Sequence, residues 1–292
     1  MATATANGIT IEYDVLGKAD DPPMLLIMGL GAQLIDWPQE FCERLAGRGY
    51  RVIRFDNRDA GLSGGCDEAG VPDLAAVFGG DLRTVPYGLG DMVGDTIGLL
   101  DALGIESAHV VAASMGGMIA QQLTISHPRR VRSLCSIMST TGDRTVGQPT
   151  PQAAMLLARP PATNRDEAIS NALVGARLLS SPGFPVGDDE LLRRATAKVD
   201  RAYRPAGTAR QLAAVLAAPD RTEQLRKVAA PTAVIHGAED PLIGVSGGRA
   251  TADAIPKAEL LVVPGMGHDL PRPVWPQFID AIERVARRGE AR

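Results

Sequence analysis

Val110-Val111-Ala112-Ala113-Ser114-Met115-Gly116-Gly117 decides how this chain is read. An apolar, β-rich run ends in a serine, and the helix-forming stretch Met118-Ile119-Ala120-Gln121-Gln122-Leu123 follows. A strand that turns directly into a helix at a serine lifts the hydroxyl out of the backbone, the layout of a nucleophile elbow. The turn crowds its flanks, so the positions two before and two after the serine must be small; here they are Ala112 and Gly116. The stretch predicts a strand–serine–helix unit and starts a search for the groups that would activate Ser114.

Outward from this unit, strand and helix signals alternate. Ile9, Ile11 and Tyr13 alternate with polar residues as in a half-buried strand, and Met24 to Met28 is a continuous apolar run ending at Gly29-Leu30-Gly31. Pro38 to Arg48 predicts a helix stopped by Gly49, and Arg51 to Phe55 a strand closed by Asp56-Asn57-Arg58-Asp59. Gly61 to Gly90 is rich in Gly, Pro and Asp and predicts loop; Asp91 is expected to cap a helix running to about Leu103. Strands are predicted over His109–Ala113, Val131–Met138, Thr232–His236 and Glu259–Val263, and a closing helix over Trp275–Arg287. The alternation implies a mostly parallel α/β sheet flanked by helices. Gly142 to Gln224 interrupts it with helix-like, proline-rich sequence, so residues 142–224 are expected to be a helical cap inserted into a core formed by residues 1–141 and 225–292.

The 292 residues suffice for one large domain or a domain with an insertion. Hydrophobic residues at 45% and charged residues at 22% fit an ordinary globular protein. A net charge of -4 argues against nucleic acid as a partner. Arg193, Arg194, Arg201, Arg204 and Arg210 gather in the expected cap and read mainly as solvated helix faces. Cys42, Cys66 and Cys135 are odd in number and far apart, with no metal-ligand or disulfide spacing, which suits reduced thiols in a cytoplasm. The first residues lack the basic start and apolar run of a signal peptide, and no apolar run is long enough to span a membrane.

A serine hydroxyl needs a base, and the base needs an orienting group. The chain has four histidines. His109 begins a strand and His127 ends a helix, where structural roles suffice; His236 ends a buried strand and reads as a satisfied core histidine. His268 lies in Gly265-Met266-Gly267-His268-Asp269, a glycine-rich loop past the C-terminal end of a strand, the edge where α/β sheets place their sites. The acid candidates are Asp240 and Glu239, on another such loop; Asp240 is preferred because it completes the order serine, acid, histidine that accompanies this kind of elbow. Asp240 would hold His268 through Nδ1, and His268 would take the Ser114 proton. The backbone amides of Met115 and Leu30 are the candidate oxyanion donors. Gly29 and Trp37, beside that early loop, are candidate substrate contacts; for Trp37 ordinary packing at a helix start is the alternative, and for Tyr203 the choice is between pocket wall and core aromatic.

Together with Asp56-Asn57-Arg58-Asp59-Ala60-Gly61-Leu62-Ser63, Leu99 to Ile105, His127-Pro128 and Pro231 to Pro241, these motifs resemble the α/β-hydrolase superfamily over nearly the whole chain. Within it the chain is most similar to the aclacinomycin methylesterase group and related bacterial carboxylesterases: Met28-Gly29 stands where His-Gly is usual, Arg58-Asp59 where Arg-Gly is usual, and Ala112 replaces the first glycine of G-x-S-x-G. The resemblance implies a cofactor-free, metal-free hydrolase with Ser114, Asp240 and His268 as its triad, acting on a small-molecule ester. A serine at position 114 argues against the aspartate-nucleophile dehalogenases and epoxide hydrolases of the same fold. Cofactor-free haloperoxidases and C–C bond hydrolases share the serine triad, and a low-turnover small-molecule receptor is the alternative outside enzymology.

Overall fold

The computed structural model describes residues 1–291. One sheet contains strands β1 (Ala2–Ala6), β2 (Ile9–Leu16), β3 (Pro23–Ile27), β4 (Arg51–Phe55), β5 (Ala108–Ala113), β6 (Val131–Ile137), β7 (Thr232–Gly237) and β8 (Glu259–Val263), in the order β1-β2-β4-β3-β5-β6-β7-β8. β3 through β8 pair in parallel, while β1–β2 and β2–β4 are antiparallel. The helices are α1 (Gln39–Ala46), α2 (Leu74–Phe78), α3 (Leu89–Ala102), α4 (Met115–Ser126), α5 (Pro151–Leu157), α6 (Arg165–Leu179), α7 (Asp188–Arg201), α8 (Pro205–Ala217), α9 (Thr222–Leu225), α10 (Val245–Ala254) and α11 (Trp275–Glu290).

The side-chain alternation of the strands builds two cores. Leu25, Ile27, Ile53, Val110 and Ala112 face α3, α4 and α10, with Leu99, Leu100, Ile119 and Leu123 packed on them. Met24, Leu26, Val52, Val111 and Ala113 face the other way, against Phe41 and Leu45 of α1 and Phe278, Ile279 and Ile282 of α11. Because both faces are covered, every residue of β5 is buried, which is why this strand reads as continuously apolar rather than alternating. Helices α5 to α9 all lie between β6 and β7. The chain leaves β3 towards β4 on one side and returns to β5 on the other. The C-terminal ends of β3 and β5 therefore flank a switch point, where an open α/β sheet leaves a crevice.

Three local expectations need correction, and one further element joins the sheet. The first residues form β1, joined to β2 by Asn7-Gly8, both at positive φ (49° and 81°), the two-residue hairpin turn that matches strand twist. The segment 61–90 holds α2, started by the Asp73 carboxylate accepting from the Ala76 amide. Asp91 sits inside the first turn of α3 rather than ahead of it, and reaches back to the Gly88 amide at 2.9 Å. The arginine group divides: Arg193 and Arg194 are exposed partners of Glu190, but Arg210 is fully buried, and Arg201 and Arg204 reach Asp56 and Asp59 in the core. The fixed carboxylates at the end of β4 draw these guanidinium groups inward.

The three cysteines are unpaired, and burial pushes the Cys42 thiol up to about 11. No described helix is long and apolar enough to cross a membrane. His109 on β5 is buried, with Nδ1 2.9 Å from Ser133 Oγ and Nε2 2.7 Å from the Glu290 carboxylate of α11. Burial lowers its pKa and outweighs the opposing pull of Glu290. The native state thus favours the neutral ring, and the unfolded chain binds more protons below the ordinary value of about 6.5. Stability should fall as pH drops from about 6.5 through the lowered native value, and His109→Gln should flatten the urea-denaturation midpoint between about pH 7 and pH 5.

Candidate active site

Ser114 has φ 56° and ψ -124°, a backbone conformation that costs about 1–3 kcal/mol for a residue with a side chain. The surroundings hold it there. Its amide donates to Ile137 O at 2.9 Å, and its carbonyl accepts from Gly117 N at 2.9 Å as α4 begins. A Cβ on Gly116 would lie 2.2 Å from Ile27 O, and one on Gly117 2.6 Å from Ser139 Cβ. Small residues are therefore obligatory after the serine, because α4 starts in contact with the ends of β3 and β6.

The structure brings Ser114, His268 and Asp240 into one hydrogen-bonded line. His268 Nδ1 is 2.7 Å from Asp240 Oδ2, and His268 Nε2 is 3.0 Å from Ser114 Oγ. A carboxylate only accepts, so the proton sits on Nδ1; the Nε2 lone pair then accepts from the Ser114 hydroxyl. Asp240 Oδ1 accepts from the amides of Leu242 and Ile243, each at 2.9 Å. Burial drives the Asp240 carboxyl upward, but hydrogen bonds from His236, His268 and Ile243 prevail and hold it well below the usual carboxylate range. His236 is fully buried; its Nε2 lies 2.7 Å from Ile243 O and 3.4 Å from Asp240 Oδ2, so it braces the acid loop from behind. Glu239 does not contact His268. It accepts from the Gly265 amide at 2.6 Å and fastens the acid loop to the histidine loop.

The early loop lies against the serine. A Cβ on Gly29 would be 2.9 Å from Ser114 Cβ and 3.3 Å from Ser114 Oγ. The Leu30 amide has no hydrogen-bond partner among the described residues, while the neighbouring Gly31 amide is taken by Gln211 Oε1 at 2.7 Å. The Met115 amide opens α4 and precedes the intrahelical ladder, so it too is free to donate. Trp37 is elsewhere: it is fully buried and stacked on Phe41 at 6.0 Å, so packing is its role. Tyr203 is not a core aromatic; it is 43% exposed, lines a surface hollow with Ala162, Arg165 and Asp200, and its hydroxyl accepts from the Ala162 amide at 2.7 Å. Met155 and Leu192 of the helical segment face solvent.

Further residues hold the site from both flanks. At the end of β4, Asp56 Oδ1 accepts from Leu34 N at 2.6 Å and Asn57 Nδ2 donates to Met28 O at 2.8 Å, so both hold the early loop. Arg58 forms a buried pair with Asp95 of α3. On the other flank, His268 N donates to Leu179 O at 2.8 Å, Gly267 N to Ser181 Oγ at 2.9 Å, and Ser181 Oγ donates to Asp269. The polar run 56–59 directly after an apolar strand was the available signal for the first set. Nothing local marks Ser181.

A model of the α/β-hydrolase fold family matches residues 22–271. The chain belongs to that family. Rhodomycin D methylesterase DauP of Streptomyces sp. (strain C5) is 30% identical over 301 aligned positions that cover 95% of this chain and 95% of that protein. The 3-oxoadipate enol-lactonase 2 of Acinetobacter baylyi is 27% identical, covering 98% of this chain and 96% of that protein. Among solved structures, the enol-lactonase from Burkholderia xenovorans LB400 superposes with a TM-score of 0.76 at 19% identity, over 98% of this chain and all (100%) of that one. Ser114, Asp240 and His268 lie just after β5, β7 and β8. The close approach at position 29 supplies a test. Gly29→Ala should slow labelling of Ser114 by a fluorophosphonate by about tenfold or more, with circular dichroism unchanged, because sub-ångström misplacement at a reacting centre is costly.

Proposed function

We propose that this α/β-hydrolase is a carboxylic-ester hydrolase that works through an acyl-enzyme on Ser114. The hydrogen-bonded line Ser114–His268–Asp240 carries the reading. The Ser114 hydroxyl attacks the ester carbonyl as its proton passes to His268 Nε2. Asp240 stabilises the resulting imidazolium, its own proton affinity suppressed by the bonds around it. The carbonyl oxygen becomes an oxyanion that accepts from the Leu30 and Met115 amides, each worth a few kcal/mol if aimed at that charge. Imidazolium then protonates the departing alcohol. Water, deprotonated by His268, attacks the acyl carbon, and the acid leaves as Ser114 regains its proton. No step needs a metal or cofactor.

The similarity to rhodomycin D methylesterases supports a methyl ester as the substrate; the proposal extends to other small-alcohol esters of a bulky hydrophobic acid. The helical segment 142–224 acts in this proposal as a cap over the C-terminal edge of the sheet, with its α6–α7 turn bonded to the histidine loop.

Short and medium p-nitrophenyl esters test the reaction. Wild-type enzyme should show multiple turnover, and Ser114→Ala should lower kcat about 10⁴-fold or more. Esterase activity surviving in Ser114→Ala would sink the proposal, and stoichiometric ligand binding without turnover would point to a receptor. Asp240→Asn should retain the fold yet lower kcat by about 10⁴-fold, because an amide at this position favours the wrong His268 tautomer.

A further inference from the structure

Asp59, the last side chain of the polar run after β4, builds a buried contact with α8. Asp59 occupies the left-handed region at φ 65°, where glycine is the comfortable residue. Its side chain is fully buried. Both oxygens accept from Arg210 of α8, at 2.6 and 2.7 Å; Oδ2 also accepts from the Tyr87 hydroxyl at 2.8 Å and Oδ1 from the Cys66 amide at 3.2 Å. Arg210 is itself only 1% exposed and spans on to Asp67 and Gly70 O. A two-pronged guanidinium–carboxylate contact fixes direction as well as distance. It therefore sets the rotation and height of α8 against the core.

The next residue on α8 is Gln211, also fully buried. Its amide is used at both ends: Nε2 donates to Arg58 O at 2.7 Å, and Oε1 accepts from the Gly31 amide at 2.7 Å. Gly31 is at φ 62°, and a Cβ there would meet the Thr208 side chain of the same helix at 3.0 Å. The loop thus presses directly onto α8. With the Gly31 amide committed to Gln211, the preceding Leu30 amide is left without a partner inside the protein among the described residues.

We propose that α8 is a fixed part of the catalytic framework, in which the Asp59–Arg210 pair anchors the helix and Gln211 is a positioning residue that holds Gly31 so that the Leu30 amide faces the oxyanion. The proposal rests on the ester-hydrolase reading above. It assigns the cap segment a role in rate, beyond any role in choosing substrate. Gln211 touches no reacting atom. Its loss should act on kcat through the placement of one donor, while leaving the Ser114–His268–Asp240 line, and hence the pH midpoint of kcat/KM, unmoved.

The test uses the full chain with p-nitrophenyl butyrate, and each variant's rate is normalised to active sites titrated with a fluorophosphonate. Gln211→Leu should lower kcat per titrated site about 10- to 100-fold, with KM within about twofold and the pH midpoint unchanged. Gln211→Glu would set a carboxylate oxygen against Arg58 O in a buried position and is therefore expected to recover none of that loss. A kcat for Gln211→Leu within about twofold of wild type, or a loss that falls on KM or moves the pH midpoint instead, overturns the proposal. If Gln211→Leu yields no folded enzyme, Asp59→Gly carries the test. It suits the backbone at φ 65°, and Arg210 keeps Asp67 and Gly70 O as partners when the carboxylate is gone. It should lower kcat at unchanged KM, and wild-type kcat there overturns the anchoring role. Activity persisting in Ser114→Ala would instead remove the underlying ester-hydrolase reading, so the two failures are separable.

Discussion

The left-handed backbone at Ser114 is the constraint on which the rest of the molecule depends. A strand cannot turn into a helix within one residue without it, and the residue pays about 1–3 kcal/mol of strain. That strain persists only because the neighbourhood leaves no alternative. The Ser114 amide is bonded across to β6, Gly116 is pressed onto Ile27 O at the end of β3, and Gly117 onto Ser139. The central strands must therefore be rigid, which explains why β5 is buried along its whole length between two apolar layers. The stability of the sheet is what keeps the hydroxyl raised.

Around that point, the end of β4 organises the remaining parts through four consecutive polar side chains. Asp56 and Asn57 hold the loop that carries Gly29 and Leu30, Arg58 ties the run to α3 through Asp95, and Asp59 ties it to α8 through Arg210. Buried charges are tolerable only when paired, and removing one partner strands the other at a cost of about 3–5 kcal/mol. Two of these side chains thus weld the sheet edge to helices that are distant in sequence. The opposite flank uses lighter contacts, with the α6–α7 turn bonded to the histidine loop through Leu179 O and Ser181. The helical segment between β6 and β7 touches both the loop before the serine and the loop that bears the histidine.

The alternation of strand and helix, the buried central strands and the loops bearing Ser114, Asp240 and His268 were legible because each rests on local pattern: apolar runs of strand length, turn residues, and small flanks at an elbow. Other local signals are present in the sequence but weak. Asn7-Gly8 between Ala6 and Ile9 is a hairpin signal, but the preceding strand is built of Ala and Thr and pairs at an edge, so it lacks the apolar weight that marks β3 or β5. Asp73 heads a one-and-a-half-turn helix too short for periodicity to show. The arginines of the helical segment look alike in sequence, yet Arg193 is solvated and Arg210 is buried, because only the latter meets a carboxylate already fixed in the core.

By itself the sequence determined the parallel sheet, the serine elbow and the order of the three chemical groups along the chain. Each follows from residue volumes, hydropathy period and backbone preference within a few positions. The sequence already preferred Asp240 over Glu239, and the structure brings Asp240 to His268; tertiary structure alone decided the burial of Trp37 in the core, and the partnership of Asp59 with Arg210 and of Gly31 with Gln211. These contacts depend on which of several equivalent side chains reaches a given point across a fold. That distance is set by the packing of the sheet and its two helical layers, and no stretch of neighbouring residues encodes it.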